Sequence, residues 1–170
     1  MNRPTPEHQK FKLKTMDEIK TTVQNLVKKH GKSRENLLPV LQGVAEKERY
    51  VSEYAMTLIA EEMEISAADV FGTATFYSFM DTTQRGKFII RICRTISCYM
   101  KGKNQILLAL EEALKIKLGD TTPDKKFTLL ETNCIGWCHK APAMLINDEV
   151  YTELTVEKVH SIIAEYKQLS

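Results

Sequence analysis

Four cysteines, all in the second half of the chain, restrict the possible folds more than any other feature of this sequence. Four residues separate Cys93 from Cys98, 35 separate Cys98 from Cys134, and three separate Cys134 from Cys138. The first 92 residues contain no cysteine, so the chain lacks the dense framework of a secreted disulfide scaffold. Thiols gathered in two tight pairs indicate metal binding or redox chemistry instead.

The segments around each pair predict strands that lead into the cysteines. Residues 87–92 are apolar and β-branched and run into Cys93, and residues 127–131 form a similar segment shortly before Cys134. An apolar stripe over residues 106–114 predicts a helix after Cys98, so both pairs are expected on loops that leave strands. A hairpin over residues 143–151 and a final helix capped by Thr155 complete an order of βα and then ββα, which suits a thioredoxin-like arrangement.

The first 80 residues have a different pattern, because their apolar residues recur every three or four positions as in amphipathic helices. The first helix is expected from Met16 to His30, and Ser33, Ser52 and Ser66 are candidate N-caps for three more. We therefore predict an α+β protein with two domains. Residues 1–80 are expected to form an N-terminal helical bundle used for docking, and residues 81–170 are expected to form a thioredoxin-like domain that carries the cysteines.

Charge and hydropathy exclude several classes of function. Twenty-four Lys and Arg residues against 22 Asp and Glu give a formal net charge of +2, which lacks the basic excess of a nucleic-acid-binding protein. The longest apolar runs fall far short of the roughly 20 residues that cross a bilayer. Residues 1–14 show no signal or transit pattern, so we expect a cytoplasmic protein without membrane insertion.

The cysteine spacing alone leaves three kinds of site open. A 2Fe-2S cluster needs four thiolates, two for each iron, and the chain has four cysteines. A structural zinc site with four thiolate ligands uses the same pairing and would make the protein a scaffold module without redox activity. A reactive dithiol is the third alternative, but the Cys-x-x-Cys spacing typical of such dithiols is absent.

Several neighbouring residues could serve such a site or simply support the loops. Glycines in both segments could let the backbone approach the cofactor, aromatic residues could shield it, and His139 could lie behind the ligands. Nearby cations could offset the negative charge of a thiolate cluster or dock an acidic partner. These residues are Gly102, Gly136, Tyr99, Trp137, Arg91, Arg94, Lys101 and Lys140.

Motifs for catalysis at a substrate are absent. The sequence has no GxGxxG dinucleotide motif and no GxxxxGK[ST] phosphate loop, and we assign no catalytic residues. We therefore expect an electron-transfer component with no complete active site of its own, which requires partner subunits.

The cysteine pattern and three longer segments resemble the thioredoxin-like 2Fe-2S subunit family of complex I, the NADH dehydrogenase subunit that is designated E. Lys32–Gln42 resembles an N-terminal helix of that family, and Val70–Tyr77 resembles the junction before its cluster domain. The segment from Cys134 to Pro142 is similar to its second cysteine loop. Homologous small subunits also occur in NAD-linked, electron-bifurcating iron hydrogenases and in some formate dehydrogenases. The resemblance extends over about residues 16–168.

The resemblance implies a specific cofactor, ligand set and group of partners. It implies one 2Fe-2S cluster per chain, held by Cys93, Cys98, Cys134 and Cys138. It also implies docking on a subunit that binds flavin and NAD(H), with further iron-sulfur subunits in the same complex. One departure is the segment from Arg94 to Ser97, because the family usually has small residues before the second cysteine. A bulkier, cationic loop can alter hydrogen bonding to sulfur, which is one determinant of cluster potential.

Overall fold

A computed structural model describes residues 15–169 of the chain. Residues 1–14, where the sequence shows no targeting segment, lie outside the described part. The chain divides into two compact units, the first ending at Gln84 and the second beginning at Arg85. Within the described residues, no helix has both the length and the apolar character needed to cross a membrane.

The first unit consists of helices whose ends match the capping signals of the sequence. The helices are α1 (Met16–His30), α2 (Leu37–Glu48), α3 (Glu53–Met63) and α4 (Ala67–Phe76). Thr15 and Glu18 form a capping box at the start of α1, and Gly31 ends this helix at a φ of 92°. The hydroxyl groups of Ser52 and Ser66 accept backbone N–H bonds at the starts of α3 and α4, as predicted.

One detail of the helical unit differs from the sequence-based expectation. Ser33 makes no side-chain capping bond, since a short 3-10 helix, Arg34–Asn36, precedes α2 and displaces its start to Leu37. In α4 the apolar side chain of Phe71 is 53% exposed. The core of this unit comprises buried residues of all four helices, including Val23, Val40, Leu41, Val44, Ile59 and Val70.

The second unit contains a four-stranded mixed sheet with strand order β2-β1-β3-β4. The strands are β1 (Phe88–Cys93), β2 (Phe127–Thr132), β3 (Met144–Ile146) and β4 (Glu149–Tyr151). Strands β1 and β2 are parallel, so their C-terminal ends lie at the same edge of the sheet, with Cys93 opposite Thr132. The antiparallel strands β3 and β4 form the predicted hairpin.

Three helices complete this unit: α5 (Ile96–Met100), α6 (Lys103–Leu114) and α7 (Val156–Gln168). Apolar residues of α6 and α7 pack with the sheet in one core, in which Ile90, Ile92, Leu110 and Ile163 are almost completely buried. Because β1 and β2 are fixed by this core and by their parallel pairing, the two segments that follow them begin side by side. The cysteines are in these two segments.

Candidate metal centre

Cys93 and Cys98, the inner pair, lie in regular secondary structure. The prediction from the sequence that they lie on a loop is therefore wrong. Cys93 is the last residue of β1, and Cys98 is in the short helix α5. Each is 1% exposed. The N–H of Cys93 donates to the carbonyl of Ala143 over 3.1 Å, which joins the end of β1 to the segment before β3. The sheet itself therefore fixes the position of Cys93.

Cys134 and Cys138, the outer pair, follow β2. Cys134 lies in irregular structure, as the sequence predicted, whereas Cys138 begins a short 3-10 helix, Cys138–Lys140. Both are exposed, and their Sγ atoms are 3.3 Å apart. The N–H of Gly136 points at Cys134 Sγ over 3.4 Å, and its φ of 87° is a conformation that glycine adopts without strain. Gly136 thus directs an N–H at sulfur, whereas the N–H of Gly102 bonds to the carbonyl of Tyr99 at the start of α6.

Three hydrogen bonds from Arg94 connect the segment that begins at Cys93 to the segment that ends at Cys134. The N–H of Arg94 donates to the carbonyl of Thr132 over 3.0 Å, which extends the contact between the two strands by one residue. The Arg94 guanidinium donates through Nε and Nη2 to Asn133 Oδ1, over 3.2 and 3.1 Å. The side chain that departs from the family pattern therefore links the two cysteine segments.

Groups of each cysteine segment influence the acidity of thiols in the other segment. The N–H of Ile135 helps to lower the pKa of Cys93, and the Ser97 hydroxyl acts in the same direction on the pKa of Cys138. Negative charge on Cys93 and on Cys138 contributes to the raised pKa of Cys98. The two cysteine pairs are therefore close enough to affect each other's ionisation. The sequence did not identify Ser97 and Ile135 as residues near the opposite pair, although the cationic loop before Cys98 had indicated altered hydrogen bonding to sulfur.

The two inner thiols differ in acidity. Burial opposes ionisation of Cys93, but hydrogen bonds from the hydroxyl and N–H of Thr95 outweigh it and lower the pKa of this thiol. The hydroxyl of Thr95 is 3.2 Å from Cys93 Sγ. Burial, followed by hydrogen bonding to Cys93, raises the pKa of Cys98 to about 11. Of this pair, Cys93 is therefore the thiol that ionises first.

In the outer pair, hydrogen bonding to Cys134 raises the pKa of Cys138, and the Ser97 hydroxyl partly offsets this effect.

The nearby aromatic residues are exposed. Trp137 stacks on His139, with ring centroids 5.6 Å apart, and Tyr99 is on the surface. His139 therefore packs on an aromatic ring beside the outer pair.

The donor set fits a binuclear iron-sulfur cofactor. All four cysteines are free thiols, and soft thiolates are the usual ligands of iron-sulfur clusters. Among residues 15–169, no three His, Cys, Asp or Glu side chains are gathered around the position of a single metal ion. A 2Fe-2S cluster requires two thiolates at each iron, so the fit rests on the inner and outer pairs together.

The mixed sheet, with four thiols near the ends of its parallel strands, is typical of a thioredoxin-like domain with a candidate metal centre. The chain belongs to the family described as thioredoxin-like [2Fe-2S] ferredoxin, whose model matches residues 23–167. Family membership confirms the predicted family, the thioredoxin-like α+β fold and the 2Fe-2S cofactor. It supports the iron-sulfur interpretation and not the zinc alternative.

Two named relatives and one solved structure illustrate the similarity. The NADH-quinone oxidoreductase subunit that is designated E in Buchnera aphidicola subsp. Acyrthosiphon pisum (strain APS) is 41% identical over 158 residues, covering 93% of this chain and 96% of the relative. NADP-reducing hydrogenase subunit HndA of Solidesulfovibrio fructosivorans is 32% identical over 161 residues, covering 95% and 92%. An NAD+-reducing [NiFe]-hydrogenase matches with a TM-score of 0.68 and 22% identity, over 78% of this chain and 23% of that chain, which shows the fold.

Proposed function

We propose that this protein is a one-electron transfer subunit of a multi-subunit, NAD(H)-linked flavin oxidoreductase, with one 2Fe-2S cluster held by Cys93, Cys98, Cys134 and Cys138. The observation that carries the proposal is the convergence of the two cysteine segments, which parallel strands bring to one edge of the sheet and which Arg94 joins through hydrogen bonds to Thr132 and Asn133. When bound, the cluster supplies a site that accepts and returns a single electron.

The protein's own residues position and shield this site. The inner pair provides two ligands from regular, buried structure, and the outer pair provides two from the exposed side. The Thr95 hydroxyl donates to Cys93 Sγ, and the N–H of Gly136 donates to Cys134 Sγ. Such bonds stabilise negative charge on thiolates and are one of the ways in which a protein sets a cluster potential. We assign no residue that breaks or forms a bond in a substrate.

The partners that we propose are a subunit that binds flavin and NAD(H), together with further iron-sulfur subunits. The names of both relatives describe subunits of larger enzymes, which supports an assembly with other subunits. Apolar side chains beside the cysteines are exposed, including Ile96 at 70% and Met100 at 75%. Exposed apolar surface of this kind marks contact with other proteins.

We also propose that residues 1–80 form the helical bundle used for docking, since aromatic side chains at the end of α4 and beyond it, Phe76 and Phe79, are exposed.

The assembly is either a hydrogenase or formate dehydrogenase, or a complex-I-type NADH dehydrogenase. We place it in the cytoplasm, because the four cysteines are free thiols, as a reducing compartment maintains them.

The subunit role is tested by comparing the isolated chain with the assembly purified through a tag on this chain. Dithionite should reduce the cluster in both samples, whereas NADH should reduce it only when the flavin-containing subunit is present. Electron paramagnetic resonance (EPR) at low temperature measures both reactions. An isolated chain that oxidises NADH at the rate of the assembly would refute the role of an electron-transfer subunit.

A further inference from the structure

A buried ion pair connects the helix that follows Cys98 to the strand that precedes Cys134. Lys103 is the first residue of α6, and its Nζ donates to Glu131 Oε1 near the end of β2. Lys103 follows Cys98 by five residues, and Glu131 precedes Cys134 by three. The pair therefore lies between the two ligand segments.

Solvent screens this pair only weakly. The side chain of Lys103 is 9% exposed and that of Glu131 is 25% exposed. Lysine and glutamate are almost never buried to this extent unless they are paired, and removing one partner leaves an uncompensated charge. The charges of Lys103 and Glu131 consequently act on neighbouring groups more strongly than surface charges do.

The sheet register places the carboxylate-bearing residue close to the proposed ligands. Glu131 is opposite Ile92, one position before the Cys93–Thr132 pair, so the side chains of Glu131 and Cys93 leave opposite faces of the sheet. With strands about 4.8 Å apart and a rise of about 3.3 Å per residue, the Cα atoms of Glu131 and Cys93 are about 6 Å apart. The three-residue connection limits the Cα distance from Glu131 to Cys134 to about 10 Å. Both backbone distances are comparable to the Debye length of about 8 Å at physiological ionic strength, so salt screens the charge of the pair only in part over the distance to the ligands.

We propose that Lys103 helps to set the reduction potential of the cluster by neutralising the Glu131 carboxylate, which lies near the end of β2, three residues before Cys134. This inference rests on the proposed function. Reduction adds one negative charge at the site, so an uncompensated carboxylate opposes it and an uncompensated ammonium favours it. Lys103 is thus a positioning and charge-compensating residue that does not contact the cluster.

The test compares two single variants that leave opposite charges behind. Lys103→Met leaves Glu131 uncompensated and should lower the ratio of reduced to oxidised cluster at a fixed solution potential by about threefold to tenfold. Glu131→Gln keeps an acceptor for Lys103 but removes the negative charge, and it should raise the same ratio by a similar factor. EPR during a redox titration of the full chain measures the ratio.

Three further variants separate charge from structure. The double variant Lys103→Met/Glu131→Gln should return close to the wild-type ratio, and Lys103→Arg should retain it because the cation is kept. Lys117→Met is the matched control, since Lys117 pairs with Glu111 near the other end of α6 and its side chain is 78% exposed. The control should leave the ratio unchanged.

The outcomes distinguish this inference from the proposed function. If the wild-type chain contains no iron and sulfide, the proposed function fails. If the wild type holds the cluster but both single variants shift the ratio in the same direction, or neither shifts it, the compensation by Lys103 is refuted. Should Lys103→Met fail to fold, Glu131→Gln alone decides the question, because only the electrostatic account predicts easier reduction.

Discussion

The inner and outer cysteine pairs, which we propose as ligands of one cluster, are held in different ways. Cys93 ends a strand of the central sheet and Cys98 lies in α5, and both are buried. Cys134 and Cys138 are exposed and follow a strand, with Cys134 in irregular structure beside the N–H of Gly136 and Cys138 at the start of a short 3-10 helix. The inner half of the site is therefore part of the folded core, whereas the outer half depends on local turns.

The largest expected difference concerns replacement of one ligand in each pair. Cys98→Ser should reduce iron retention by more than about tenfold. Substitution of residues that only support metal ligands already lowers metal affinity by about that factor, and the buried position of Cys98 admits no replacement ligand. Cys138→Ser should retain part of the iron with an altered EPR spectrum, since Cys138 is exposed and water can reach its position to replace the lost thiolate. Iron analysis and EPR of both variants provide the measurement. Equal losses would contradict the difference between the pairs, and an unchanged spectrum in either variant would refute that ligand.

A second prediction concerns the stability of the core beneath the inner pair. Ile92 precedes Cys93 and is fully buried, so Ile92→Ala should lower the free energy of unfolding by about 2–5 kcal/mol. Ile96→Ala is the matched control, because Ile96 is exposed and surface substitutions usually stay within about 0.5 kcal/mol. Trp137, the single tryptophan, lies in the sheet-containing unit, so its fluorescence during urea unfolding reports this unit. Similar losses for both variants would show that β1 does not anchor the inner pair.

A third prediction concerns the rates at which a reagent labels the four thiols in protein that lacks the cofactor. Cys134 and Cys138 should react with a maleimide at least about tenfold faster than Cys93 and Cys98, since reactivity requires exposure as well as ionisation. The lowered pKa of Cys93 favours its reaction, whereas burial slows it. The measured rate therefore shows which of the two effects is larger. Mass spectrometry of peptides at successive times gives the four rates. Faster labelling of Cys93 than of Cys134 would show that the inner pair opens readily.

Sequence patterns predicted those parts of the fold that depend on local periodicity. The range of α1, its end at Gly31 and the caps at Ser52 and Ser66 follow from apolar spacing and short polar side chains. The helix that contains Cys98 was missed because five residues are too few to show a periodic apolar stripe. Periodicity also does not reveal which apolar residues of a helix remain exposed, as Phe71 of α4 does.

The details of the site depend on pairing between distant segments, which a single sequence does not specify. The register that sets Cys93 opposite Thr132 determines that Arg94 meets Asn133 and that Glu131 lies beside the ligand segments. The cysteine spacing allowed either zinc or a cluster. The longer motifs that resemble the family, and not the spacing, favoured iron and sulfide.

The most direct test is analysis of iron, zinc and acid-labile sulfide in the anaerobically purified chain, followed by EPR before and after dithionite. The account predicts about two iron and two sulfide per chain, with a signal only after reduction. About one zinc per chain, with little sulfide and no signal, would contradict the electron-transfer function and indicate a structural metal site.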